Sequence, residues 1–156
     1  MREIKFRGKT ISGGKWVHGY LTRVENDYAV IEYDNEDGRY NHLVYANTVG
    51  QYTGLKDANG KEIYEGDIVK VEEYVNELMK IEHEYDDFEV FSLDEIKGEK
   101  TNEFISRVFW EDGSFFVNDS DISGYYLSTL AGDMKKSQPI FVTNVIGNIH
   151  DNPELL

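Results

Sequence analysis

Hydrophobic and polar residues alternate along this chain in short runs, and each run stops at a glycine-containing turn. Ile4, Phe6 and Lys9-Thr10-Ile11 make the first run, which ends at Ser12-Gly13-Gly14. Trp16-Val17-His18-Gly19-Tyr20-Leu21 leaves that turn, so the opening is predicted to be a β-hairpin. Tyr28 to Tyr33 and Tyr40 to Tyr45 make a second pair of strands, with Asp37-Gly38 supplying the positive φ of the turn between them. Phe104 to Trp110 and Ser114 to Val117 form a third hairpin around Asp112-Gly113, and Tyr125 to Leu130 and Ile140 to Ile149 are the last predicted strands.

The stretch from Val49 to Val71 carries the densest turn grammar. Asn59-Gly60 marks one turn and Gly66-Asp67 a second, where a short carboxylate can accept backbone N–H groups of the adjoining strand. Ile68-Val69-Lys70-Val71 follows, with Val69 and Val71 on one face and predicted to point inward. From Glu72 to Glu103 the pattern weakens: twelve acids face only Lys80, Lys97 and Lys100. Val71, Tyr74, Val75, Leu78 and Met79 fall at helical spacing, so a short helix is one reading; Ile81 to Phe91 alternates and could be a strand. A mobile, acidic excursion carrying at most one helix or one extra hairpin is the expectation.

Composition narrows the function classes. A chain of 156 residues is the size of one domain, with enough interior to fold without staples. It has no cysteine, which excludes disulfides, thiolate metal sites and cysteine nucleophiles. Met1 to Thr10 is charged and alternating, and no segment approaches the ~20 apolar residues of a membrane span, so a soluble, cytoplasmic protein is expected. The net charge of −14 argues against direct binding to nucleic acids or anionic membranes, because phosphate contacts need lysine and arginine.

The candidate chemistry is thin. Five residues separate Gly54 from Gly60 and Lys61 precedes Glu62, so the glycine-rich phosphate loop, which needs four and then Lys-Ser or Lys-Thr, is absent. Asp119-Ser120-Asp121-Ile122-Ser123-Gly124 imitates the opening of a calcium loop, but the position of the bidentate glutamate holds Leu130, so a solvated turn is expected. His18, His42, His83 and His150 share no metal-ligand spacing. No Gly-X-Ser-X-Gly nucleophile turn occurs, and any pair chosen among 30 acids is uninformative. No catalytic, cofactor-binding or metal-binding residue is assigned. Trp16, Tyr20, Tyr40, Tyr45, Tyr52, Tyr64, Trp110, Phe115 and Phe116 are expected mostly in the core; those left exposed, above all Tyr52 and Tyr64 with Glu65 and Asp67 beside them, are the candidate partner-binding surface.

Three blocks of the chain resemble the YopX family of phage and prophage proteins. They are Arg2 to Gly8 with Gly14 to Leu21, then Val49 to Leu55 through Glu65 to Val69, and finally Val145 to Leu156. The resemblance implies a mainly β architecture of SH3-like barrel or roll type over residues 1–156, with β parts at 1–71 and 104–156 flanking an acidic insertion at 72–103. It brings no active site, cofactor or substrate. The leading expectation is a phage-encoded, non-enzymatic accessory protein that docks a host or phage protein in the bacterial cytoplasm. The alternatives are an acidic nucleic-acid mimic acting on a host DNA-binding protein and a metal-assisted hydrolase using Asp119 and Asp121. Strand edges leave a homo-oligomer open.

Overall fold

The structure is a computed structural model that describes residues 3–76, 97–119, 123–130 and 140–156. Its strands are β1 (Phe6–Lys9), β2 (Trp16–Val24), β3 (Tyr28–Asn35), β4 (Gly38–Tyr45), β5 (Gly50–Lys56), β6 (Glu62–Tyr64), β7 (Asp67–Asn76), β8 (Lys97–Arg107), β9 (Phe109–Glu111), β10 (Ser114–Asp119), β11 (Ser123–Tyr126) and β12 (Ile140–Asn148). They form a six-stranded sheet in the order β4-β3-β2-β1-β5-β6 and two three-stranded sheets, β11-β10-β9 and β12-β7-β8. The protein is mainly β, as the alternating pattern predicts.

In the large sheet, β1 pairs antiparallel with β2 on one side and β5 on the other. A 3-10 turn, Ala46–Thr48, leads into β5. The far strand β4 curls back towards β1: Thr10 bridges Val44, and the Ile11 N–H bonds the Leu43 carbonyl at 3.0 Å. This curl encloses Ala29, Ile31 and Val44, with Phe6, Val17, Leu21 and Val49 packed around them.

The second core lies between the other elements and holds Ile63, Val69, Val71, Val108, Phe115, Val117, Leu127 and Leu130. Each fully buried aliphatic chain here is worth about 1.5–3 kcal/mol of transfer free energy. Val69 and Val71 do face inward, both at 0% exposure. The core is mostly aliphatic, with Tyr52, Tyr64 and Phe115 the buried rings among those named. Tyr20, Tyr40, Tyr45 and Trp110 keep 58%, 41%, 45% and 46% of their surface in solvent, which corrects the expectation that such rings fill the interior. Strand parity explains two of them: Leu21 and Val44, the neighbours of Tyr20 and Tyr45, take the inward positions.

Turn chemistry follows the sequence closely. Gly60 has φ +80°, and the Asp57 carboxylate accepts the N–H groups of Asn59 and Lys61 at 2.9 and 2.8 Å. Its other oxygen takes the Val145 N–H at 3.1 Å, fastening this turn to β12. Asp112 and Gly113 take φ of 46° and 81° in the β9–β10 turn.

Two predicted elements differ. Val71, Tyr74 and Val75 belong to β7 rather than to a helix, and β7 runs antiparallel to β8 with Glu72 opposite Glu103. The acidic stretch is therefore strand at both ends; residues 77–96, which include Leu78, Met79 and His83, lie outside the described residues. Strand pairing there is made possible by Lys70 and Lys100, which bridge Glu72 and Glu103 and relieve the repulsion between facing carboxylates. Tyr125 to Leu130 is the second difference: β11 ends at Tyr126, and Leu127–Leu130 makes a helical turn that buries Leu127 and Leu130 in the second core. The middle of the candidate calcium loop, residues 120–122, lies outside the described residues.

Candidate functional site

Period two puts Lys5, Arg7 and Lys9 on one face of the first strand. Register sets His18 opposite Arg7 and Trp16 opposite Lys9 across β2, and Gly50 beside Arg7 across β5. The Tyr52–Tyr64 pair continues this face onto β6. The first two sequence blocks thus meet at Arg7, and the third reaches the same row at Lys9 and Trp16.

The Arg7 guanidinium lies between the rings of Trp16 and Tyr64, 4.8 and 5.0 Å from their centroids. Its Nη1 meets the Asp67 carboxylate at 2.6 Å, and its Nη2 donates to the Glu65 carbonyl at 3.2 Å. The second Asp67 oxygen accepts the Tyr64 N–H at 2.8 Å. Lys5 and the Tyr64 hydroxyl both donate to Glu62, each at 2.7 Å. At the other end of the row, Lys9, the Trp16 indole N–H and the Asn148 amide all donate to Asp151. Each cation of the Lys5, Arg7 and Lys9 row therefore has its own carboxylate: one from β6, one from β7 and one from the turn after β12.

Charge states follow from this packing. Burial pushes the Asp67 carboxyl up, and the adjacent Arg7 charge together with the Tyr64 N–H holds it back. Burial would raise Glu62 as well, but its bonds from Lys5 and Tyr64 prevail and hold it low. The Tyr64 phenol is pushed far above its ordinary range by burial and by Glu62. Burial lowers His18, with Lys5 and Arg7 adding to the effect, and lowers His150, with Arg7 adding again. Both imidazoles are neutral at pH 7, and their rings lie against Tyr64 and Trp16 at 5.3 and 5.9 Å.

This arrangement fastens strands to one another. A guanidinium packed against two rings and bonded at both terminal nitrogens links β1 to β7. Of the predicted surface residues, Tyr52, Tyr64 and Asp67 are 5%, 2% and 1% exposed, and Glu65 is half-buried with its carbonyl on Arg7. The expectation that these tyrosines stand in solvent is corrected: strand pairing stacks them on each other, ring centroids 5.4 Å apart, within the junction.

Acid should loosen the end of the junction held by Asp151. Its bonds from Asn148, Lys9 and Trp16 hold the carboxyl well below the usual range, while in the unfolded chain it titrates near its ordinary value of about 3.9. The stabilisation is complete above that value and is lost as the pH falls below it. Urea midpoints measured at neutral pH and at about pH 2.5 are expected to differ less in Asp151→Asn than in the parent; an unchanged pH dependence would contradict these bonds.

A different surface faces solvent on the outer side of the curled sheet. Cross-strand pairs place Tyr28 with Tyr45, Val30 with Leu43, Glu32 with Asn41 and Asp34 with Arg39 on one face of β3–β4. Tyr20 of β2 joins at the Glu32 row and Arg23 at the Val30 row. Leu43 and Tyr20 are 53% and 58% exposed although both sit within strands. A cavity of about 200 Å³ opens where Tyr20, Glu32, Tyr33, Asp34 and Arg39 meet. On the opposite face of the ladder the Tyr33 ring stacks on Tyr40 and His42, with centroids 5.6 and 5.5 Å away. The sequence signal for this surface was present in the parity of Leu43 and Tyr45 against Val44.

No helix among the described residues is long and apolar enough to cross a membrane. No curated protein matches the chain. Among solved structures the chain is similar to protein EF1440 from Enterococcus faecalis, with 21% identity, a TM-score of 0.49, and coverage of 100% of this chain and 99% of that one. A family model described as YopX protein matches residues 5–156, a span that takes in nearly all of the three sequence blocks. The chain belongs to the YopX protein family.

Proposed function

We propose that this is a non-enzymatic docking module, encoded by a phage or prophage and acting in the host cytoplasm, whose first five strands form an SH3-like roll. The strand order β4-β3-β2-β1-β5, the 3-10 turn before β5 and the contact from Thr10 to Val44 support the roll. The observation that carries the docking reading is the outer face of β2–β4, where Tyr20, Leu43 and Tyr45 project from paired strands with roughly half their surface in water. Soluble proteins scatter exposed apolar residues singly, and a contiguous group on a rigid sheet marks a contact surface. Steering by the acidic segment is part of the proposal. Duplex mimicry is not favoured, since Glu72 and Glu103 are already bridged by Lys70 and Lys100.

The test is affinity capture from cells in which the prophage has been induced, comparing the parent with Leu43→Asp. Leu43 is exposed, so the substitution should change stability by no more than about 0.5 kcal/mol. Loss of a specifically enriched protein in the variant is the expected result. Identical capture by both chains, or no enrichment by the parent, overturns the proposal.

A further inference from the structure

The turn between β3 and β4 concentrates charge at one end of the docking face. Glu32, Asp34, Glu36 and Asp37 lie along or beside it, opposed by the Arg39 guanidinium. Arg39 is engaged by Asp34 at 3.0 Å, in a pair whose side chains are 70% and 59% exposed. Glu32 forms no ion pair among the described residues and receives one long contact, 3.4 Å from the Thr22 hydroxyl. The cavity beside it is too small for a typical organic ligand and suits a single side chain. The exposed Tyr20 forms one wall, and a phenol ring face attracts a cation.

We propose that this face binds an extended segment of a partner protein that places apolar residues on Val30, Leu43 and Tyr45 and a lysine or arginine in the pocket between Tyr20 and Glu32. The inference rests on the docking reading and adds the partner's chemistry. Spacing supports it. Rows two residues apart lie about 6.6 Å from one another along a strand, so the Leu43 row is about 6.6 Å from the Glu32 row that holds the pocket and about 13 Å from the Asp34–Arg39 row at its far end. An extended partner strand spans the longer distance in about four residues, which puts its apolar and basic side chains on the same side. Charge supports it too: four carboxylates against one guanidinium make this turn electronegative, on a chain whose net charge is −14. A second copy of the same acidic chain would bring like charges together at this turn and is the poorer occupant.

The probe is a synthetic peptide, acetyl-Val-Thr-Val-Thr-Arg-Thr-Arg-amide, titrated into the isotope-labelled full chain and followed by NMR. Saturable shifts are expected at Tyr20, Glu32, Asp34 and Leu43, shrinking as salt is added. Replacing both arginines of the peptide by glutamate should abolish them. Glu32→Gln should weaken binding about fivefold, the loss of one partly exposed ion pair. Equal shifts with the glutamate peptide, equal affinity in Glu32→Gln, or shifts centred on Glu72 and Glu103 instead would overturn the proposal. The two readings fail separately: if Leu43→Asp still loses its captured partner while Glu32→Gln changes nothing, the pocket assignment falls and the docking module stands.

Discussion

Arg7→Ala is expected to destabilise the protein by about 3–5 kcal/mol, the cost of leaving a buried carboxylate without its counter-charge. Asp67 is 1% exposed and has no water to replace the guanidinium it would lose. The same deletion unstacks Trp16 and Tyr64 and strands the Glu65 carbonyl. At about 2–4 °C per kcal/mol for a chain of this length, the melting temperature should fall by roughly 6–20 °C. Asp67→Ala should cost a similar amount, because it leaves Arg7 without its counter-charge and the Tyr64 N–H without its acceptor. The double substitution Arg7→Met with Asp67→Leu should be milder than either single change, since apolar side chains of similar volume often replace a buried pair without loss. Arg39→Ala, which breaks the exposed pair with Asp34, should leave the melting temperature almost unchanged. A cost below about 1 kcal/mol for Arg7→Ala would mean that this pair does not hold β1 to β7.

The hairpins were legible because their turns announce themselves locally. Asn59-Gly60 and Asp112-Gly113 need positive φ, and the flanking strands alternate with period two. The same parity places Lys5, Arg7 and Lys9 on one face and Leu43 and Tyr45 on the face opposite Val44, so both surfaces could be read once the strands were known. Pairing between distant segments could not. Nothing local says that Arg7 meets Asp67, or that Asp57 reaches the Val145 N–H; these depend on how β7 and β12 pack against the first sheet. Tyr52 and Tyr64 misled because an aromatic beside a polar turn is equally consistent with exposure and with burial. Their fate was decided by Lys5 and Arg7 arriving from a strand far away in sequence. Val71, Tyr74 and Val75 misled for another reason: spacing of three and four fits a helix turn, yet β7 accommodates it through register irregularities after Glu73 and Tyr74.

Gly50→Ala should be damaging for so small a change, at about 3 kcal/mol, with a melting temperature lower by roughly 6–12 °C. Gly50 is not one of the positive-φ glycines, so its backbone would accept alanine without strain. What forbids a side chain is proximity: an added Cβ would lie 2.4 Å from the Glu65 carbonyl oxygen. That oxygen is the one accepting from Arg7 Nη2, and Gly50 is the register partner of Arg7 on β5. The missing methyl is therefore what lets the β6–β7 turn come close enough to hold the guanidinium. Gly124→Ala supplies the contrast: its Cβ would meet the Asn118 side-chain oxygen at 3.2 Å, a flexible end that can move, and the cost should stay within about 1 kcal/mol. The mechanism is separable from a general clash by a double-mutant cycle. If Gly50→Ala acts by driving the carbonyl away from Arg7, its cost must shrink when Arg7 is already alanine. Full additivity of the two changes would show instead that Gly50 and Arg7 support the fold independently, and that the turn is held to β1 by something other than this bond.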